Sequence, residues 1–464
     1  MKTRDLSNGN PAKVLIFFAL PMILSVTLQQ IYNIADSSIA GRMISKDALS
    51  AVSVSYPINM IYLSFATGLG VGIGVITSRF FGSKDYLRCK SSINTALLFT
   101  LMLAIIMSIL GILIAGPALK IIDTPSNIFK DARVYLRFYC GGLVFTYLYN
   151  VITSIFQSMG NSRTPLYFLM FSTVLNIVLD IIFVGPLDMG IVGLALGTLI
   201  AQAVAMGLSL IVLIISIKKE LVTEEKSSLF DKNILSSILI IAIPSIIQGS
   251  TISIGNFLVQ RKLNSFGSEL VGGYGAAFKL CYVVVNIFVA YSNAISNYTA
   301  QNIGAGKHKR ILAGFKWSLL ICTIFSLVMT LVIVLFNGQL LKIFMSSDAK
   351  NIVDSTGRTQ ADYGKSFCMI VAPFFIFMGI KIPSDGVLKG SKDMASFMFG
   401  TFVDLIIRVV LSFALAPHFG YKGVFASWPI GWGIGMLVSV IMFIYGRWKR
   451  LACFPSEKEN VINA

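Results

Sequence analysis

The sequence predicts an all-α integral membrane protein of twelve transmembrane helices, arranged as two pseudo-symmetric six-helix lobes. Three observations predict it: an apolar composition, apolar runs of bilayer length from end to end, and an internal repeat. Hydrophobic residues make up 55% of the 464-residue chain and charged residues 13%, against the roughly 25% charge of an ordinary soluble domain. Runs of about 20 apolar residues, the length that crosses a bilayer, recur with short polar connectors, so no part reads as a soluble domain.

Taken in order, the expected spans lie near 14–40, 48–78, 92–116, 133–157, 165–185 and 190–217. A second set lies near 233–258, 271–302, 311–336, 361–388, 394–416 and 423–446. The first follows Lys2, Arg4 and Lys13 and has no small-residue cleavage pattern, which makes it a retained span and not a signal peptide. Between the sets, KKELVTEEKSSLFDK (218–232) is the most charged connector. The expected organisation is therefore a first lobe at 1–217, a cytoplasmic linker at 218–232, a second lobe at 233–446 and a cytoplasmic tail at 447–464.

The two sets read as copies. ALPMILSVTLQQIYN, with Pro21 and Asn33, aligns with AIPSIIQGSTISIGN, with Pro244 and Asn256. SRFFGSKDYLR aligns with AQNIGAGKHKR, SMGNSRTP around Gly160 with LKGSKDMA around Gly390, and DMGIVGLA with HFGYKGVF. Copies of six spans enter the membrane with the same orientation, so a cleft between two such lobes is the expected pathway. Pro21 and Pro244 interrupt a helical hydrogen-bond ladder and offer each lobe's first span a place to bend.

The net charge of +17 does not point to nucleic acid, because the basic residues are scattered through connectors and form no stripe interleaved with aromatics. Sorted onto alternating sides, Lys and Arg favour the side of both termini, which predicts cytoplasmic ends. Six dispersed cysteines form no CxxC pair and the two histidines, His308 and His418, fall in expected loops, so neither a disulfide framework nor a zinc site is indicated. No GxxxxGK[ST] phosphate loop is present, which leaves an ion gradient as the expected energy source for any transport. One proton entering down 100 mV and one pH unit releases about 2.3 plus about 1.4 kcal/mol.

Ionisable groups inside spans are functional candidates because they are costly there. All six glutamates fall outside the spans, which leaves Asp36, Asp180, Asp404, Asp385, Lys279, Lys381 and Arg408. Asp404 and Arg408, four residues apart on one helical face, are spaced to neutralise each other. At the matching place in the first copy stand Asn176 and Asp180, with no cation, and Asp36 matches the apolar Val259. An acid pair confined to the first lobe calls for a cation: a proton, or a sodium ion held also by Asn176 and Thr198. Lys279 and Lys381 either line the cleft or reach toward headgroups along their stems.

DSSIAGRM at the end of the first span, SMGNSRTPLYFLMFSTVLNIVLDIIFVGPLDMGIVGLALGT across spans four to six, and the basic glycine turns after spans two and eight resemble MATE transporters. The resemblance covers nearly the whole chain. It implies a V-shaped pair of lobes that exports amphipathic, often cationic, organic compounds in exchange for protons or sodium. In the DinF-like branch that it resembles, the coupling acids belong to the first lobe, and Asp36, Asn176, Asp180, Thr198 and Tyr135 fall at the matching positions. A NorM-like branch uses acids of spans seven and ten, where this chain has Gln248 and Asp385. The cleft is expected to present Gln29, Tyr32, Asn33, Asn150 and Lys279 to the substrate. No cofactor is implied, a monomer suffices, and the setting is the plasma membrane. A flippase for a lipid-linked saccharide is the alternative, kept open by the cations Lys279, Lys381 and Arg408, which would suit a strongly cationic cleft.

Overall fold

The computed structural model describes residues 5–344, 353–354 and 357–452. Lys2, Arg4, Cys453, Glu457 and Glu459 lie outside the described residues, as does most of the expected tail at 447–464. Described residues are helical almost throughout, in the order α1 (Pro11–Ile39), α2 (Lys46–Gly82), α3 (Tyr86–Ile121), α4 (Ser126–Gly141), α5 (Leu143–Ser158), α6 (Arg163–Val184) and α7 (Gly190–Glu220). There follow α8 (Lys232–Asn264), α9 (Ser268–Gly304), α10 (His308–Phe344), α11 (Gln360–Val371), α12 (Phe375–Gly390), α13 (Met394–Tyr445) and the short α14 (Trp448–Ala452).

Length decides how these helices are counted as spans. At 1.5 Å per residue the 22 residues of α6 reach about 33 Å, enough for the ~30 Å hydrocarbon core. The 52 residues of α13 would reach about 78 Å if straight, and they are two helices broken at Gly420, whose φ of 58° and ψ of −146° suit only glycine. The helices α4 and α5 bend by 47° where they meet and together form one span. With α13 counted as two limbs, the described residues hold the twelve spans that the sequence predicts.

Three details add to or correct the sequence reading. The helix α1 runs unbroken through Pro21 and gives way to a π-helical turn only at Ala40–Ile44. His308 is the first residue of α10, and His418 lies within α13 shortly before the Gly420 break, so neither is in a loop. The tenth span is interrupted by a 3-10 turn, Ala372–Phe374, between α11 and α12.

Packing divides the chain into two compact units. The first comprises Met1–Gly9, Ile16–Ser250 and Ala300–Gly306, and the second Asn10–Leu15, Thr251–Thr299 and Lys307–Ala464. Each is built inside-out, as a bundle in lipid must be, because helices without a hydrophobic drive between them approach best through small residues. In the first unit, α3 buries Ser92, Ala96, Thr100 and Ala104 at four-residue spacing while Ile106, Ile109 and Leu113 stand exposed. The second unit repeats the device on α10, where Gly314, Ser318, Cys322 and Ser326 are buried and Leu327, Leu331 and Leu335 exposed. These stripes occupy matching places after the two basic glycine turns. The second unit also has an aromatic core in which Tyr274, Phe367, Phe425 and Trp428 meet edge-on or stacked.

Candidate functional site

The acids of the first unit come together because two i, i+4 pairs and one glycine aim them at a common point. Tyr32 and Asp36 lie one turn apart on α1, as Asn176 and Asp180 do on α6, so each pair shares a helix face. Asp36 is 6% exposed, Asn176 1% and Asp180 0%. That burial screens all three side chains from solvent. The two carboxylates lie close enough to interact directly, and Tyr32 and Tyr135 lie within electrostatic reach of both.

Depth is set by α7. Gly197 faces α6, and a Cβ there would collide with Asp180 Oδ1. Only the absence of a side chain lets the carboxylate lie against the α7 backbone. Thr198, the next residue, donates to the Leu194 carbonyl at 3.1 Å and accepts from Tyr32 Oη at 3.3 Å and Asn176 Nδ2 at 3.4 Å. With its N–H side committed to Thr198, the Asn176 amide is left with its oxygen free. Asp36 Oδ1, both Asp180 oxygens and Asn176 Oδ1 are all buried without a hydrogen-bond partner among the described residues. Unpaired buried acceptors are costly, and four of them in one place form an oxygen cluster suited to a proton or a hard cation. Among the described residues, no group of three or more His, Cys, Asp or Glu side chains assembles for a transition metal.

The structure therefore brings together Asp36, Asn176, Asp180, Thr198 and Tyr135, and adds Tyr32, which the sequence reading assigned to the cleft. Gln29 is exposed on α1 and Asn33 half-buried, with the Asn33 carbonyl accepting from Ser37 at 2.8 Å. Asn150 on α5 turns its amide to the Thr146 carbonyl at 2.8 Å, and Thr146 in turn bonds Gln202. Lys279 is exposed on α9 in the second unit. Gly197 was missed by sequence reading; its only signal is the GT pair in LALGT, which becomes meaningful once α6 and α7 are known to pack there.

In the second unit the charges are arranged differently from expectation. Lys381 does not reach for a cleft or a headgroup: it is 4% exposed and pairs with Asp385 at 2.6 Å one turn along α12. Asp404 and Arg408 share a helix face but close no ion pair; the Arg408 guanidinium lies 4.2 Å from the Trp428 ring centroid instead. Asp404 is accommodated by Gly431 and Gly435 on the following limb of α13. A paired lysine and a stacked arginine do not make the strongly cationic cleft that the flippase alternative called for.

Known proteins resemble this chain over most of its length. The MatE family model matches twice, at residues 21–182 and 244–414, and the two matches open on the aligned prolines Pro21 and Pro244. The chain is 28% identical over 467 residues to the probable multidrug resistance protein YpnP of Bacillus subtilis, covering 98% of this chain and 100% of that one. It is 26% identical to the multidrug export protein MepA of Staphylococcus haemolyticus, covering 89% of each. An outward-facing structure of a multidrug resistance MATE family transporter of the MOP superfamily superposes with a TM-score of 0.86 at 22% identity, covering 97% of this chain and 98% of that chain. Tandem family matches that span most of the chain, on a helical bundle of membrane spans, make this protein a member of the MatE family, a multi-pass membrane transporter and not an enzyme.

Proposed function

We propose that this protein is a secondary active efflux carrier that exports small amphipathic, often cationic, organic compounds in exchange for protons or sodium ions. The reading rests above all on one observation, the pair of buried, facing carboxylates Asp36 and Asp180 with their unpartnered oxygens. Two unit charges about 4 Å apart repel by roughly 4 kcal/mol at an effective dielectric of 20. An ion that neutralises one of them removes that repulsion and changes how α1 and α6 pack. A proton does so on either carboxylate; sodium does so with Asp36, Asp180 and Asn176 as oxygen ligands, while Thr198 holds the amide in register. Tyr32 belongs to both halves of the device, since it contacts Thr198 and stands three residues after Gln29 and next to Asn33 on α1.

Small organic substrates are supported by the relatives' names, multidrug resistance and multidrug export proteins. Gln29, Tyr32, Asn33 and Asn150 offer amides and a phenol suited to varied organic compounds, and Lys279 contributes a cation from the second lobe. The lobes are the two sequence copies, 1–217 and 233–446, joined by the 218–232 linker, in which Leu221–Asp231 is non-helical. Both termini lie in the cytoplasm, the bilayer is the cell membrane, and one chain is sufficient. No cofactor or nucleic acid takes part.

The test is substrate movement in everted vesicles under separately imposed proton and sodium gradients, with Asp36→Asn and Asp180→Asn. Both variants should lose ion-driven movement while retaining drug binding in detergent. Movement at the parent rate in both, at equal expression, refutes the coupling role.

A further inference from the structure

The second span of each sequence copy ends on a glycine, α2 at Gly82 and α9 at Gly304. In the alignment of SRFFGSKDYLR with AQNIGAGKHKR, Gly82 corresponds to Gly304 and Arg79 to Gln301. Within the first unit these four residues meet crosswise. A Cβ on Gly82 would collide with the carbonyl oxygen of Gln301, and a Cβ on Gly304 would collide with the carbonyl oxygen of Arg79. Each glycine thus lies on the equivalent of the residue three positions before itself. Such reciprocity is the mark of a two-fold contact, in which i touches j and j touches i.

The contact is tight. Two helix C-termini, each with a partial negative charge, are pressed together there, which opposes the contact. What clasps it is the buried side chain of Gln301, whose Nε2 donates to the Ser158 carbonyl at 2.6 Å and whose Oε1 accepts from the Leu6 amide at 2.9 Å. Asn302 Nδ2 adds a bond to the Leu6 carbonyl at 3.4 Å. Leu6 and Gln301 are both 0% exposed, and Ser78 Oγ reaches the same Ser158 carbonyl at 3.3 Å.

We infer that the Gly82–Gly304 crossing is the gate that closes one end of the transport pathway, with Gln301 and the Leu6 segment as its latch. On the proposed topology that end is cytoplasmic. Close approach of two helix ends that carry the same partial charge, held by the glutamine clasp, makes the crossing a two-state element: fully packed when shut, and separable once the glutamine lets go. The inference rests on transport by alternating exposure, but its test uses neither driving ion nor drug, so it stands or falls apart from the role of Asp36 and Asp180.

Ser158 is 0% exposed beneath the latch. Ser158→Cys is introduced, and its rate of maleimide labelling in detergent is compared with that of the chain lacking this thiol. In the otherwise native protein the thiol should label slowly. Gly82→Ala and Gly304→Ala should each raise the rate roughly 5- to 150-fold, the factor that follows from the usual cost of overpacking. Gln301→Ala, which removes atoms and adds none, and a chain without residues 1–9 should raise it in the same direction. Gly207→Ala, where a Cβ meets nothing within 4 Å, should leave it unchanged. If the glycine variants fail to fold, Gln301→Ala decides. Labelling that stays at the parent rate in monodisperse Gln301→Ala protein would make the crossing a permanent joint and overturn the inference.

Discussion

Gly197→Ala is the most discriminating perturbation of the acid cluster, because it touches neither carboxylate chemically. The added methyl would collide with Asp180 Oδ1, with the Asp180 carboxyl carbon at 3.2 Å and the Asp180 backbone nitrogen at 3.3 Å. A backbone nitrogen cannot swing away, so the carboxylate or the α6–α7 packing must shift. Overpacking of this kind costs about 1–3 kcal/mol. If that cost falls on the ion-loaded geometry, it corresponds to roughly a 5- to 150-fold weaker hold on the driving ion, at about 1.4 kcal/mol per factor of ten. The assay is uptake of an organic cation into inverted proteoliposomes against a titrated proton or sodium gradient. The half-saturating ion concentration should rise within that range, while the rate at saturating ion falls less. In an Asp180→Asn background, already uncoupled, Gly197→Ala should add little, as residues in contact are non-additive. An unchanged ion dependence at equal expression would show that Asp180 does not work from the position pressed against α7.

Further expectations concern the second unit and the site's orientation. Lys381→Met strands the buried Asp385 charge and should lower stability by about 3–5 kcal/mol, whereas Lys381→Met with Asp385→Leu should recover most of it; thermal unfolding in one detergent reads both. Gly420→Ala forces a side chain into a left-handed backbone at the break in α13 and should cost about 1–2 kcal/mol, seen as a lowered Tm. Thr198→Val removes the acceptor that holds Tyr32 and Asn176. It should weaken ion dependence while leaving folding within about 1 kcal/mol, and wild-type ion dependence in this variant would deny Thr198 its positioning role.

The acid pair shows how far the residues alone could lead. Asp36 and Asp180 stood out because both fall in apolar runs, and Asn176 and Thr198 joined them through the motif that the chain shares with MATE transporters. Their meeting is a tertiary fact, for α1 is distant in sequence from α6 and α7, and nothing in a helical period says which faces pack. Tyr32 was legible as a polar residue of the first span but not as a donor to Thr198, because either face of α1 accommodates a phenol. Lys381 and Asp385 are spaced to pair, yet with several buried charges nearby the sequence allowed more than one partner.

By itself the sequence determined the class of protein, the number of spans and the repeat, because a bilayer fixes the length of an apolar helix and two copies of one pattern betray themselves by order. It also fixed where charge is too costly to be idle. Only the tertiary structure decided which polar atoms are left without partners, that Gly197 makes room for Asp180, and that Gly82 and Gly304 meet crosswise. Those outcomes depend on contacts of a few ångströms between helix faces that no sequence period specifies, where the presence or absence of one methyl group decides what fits.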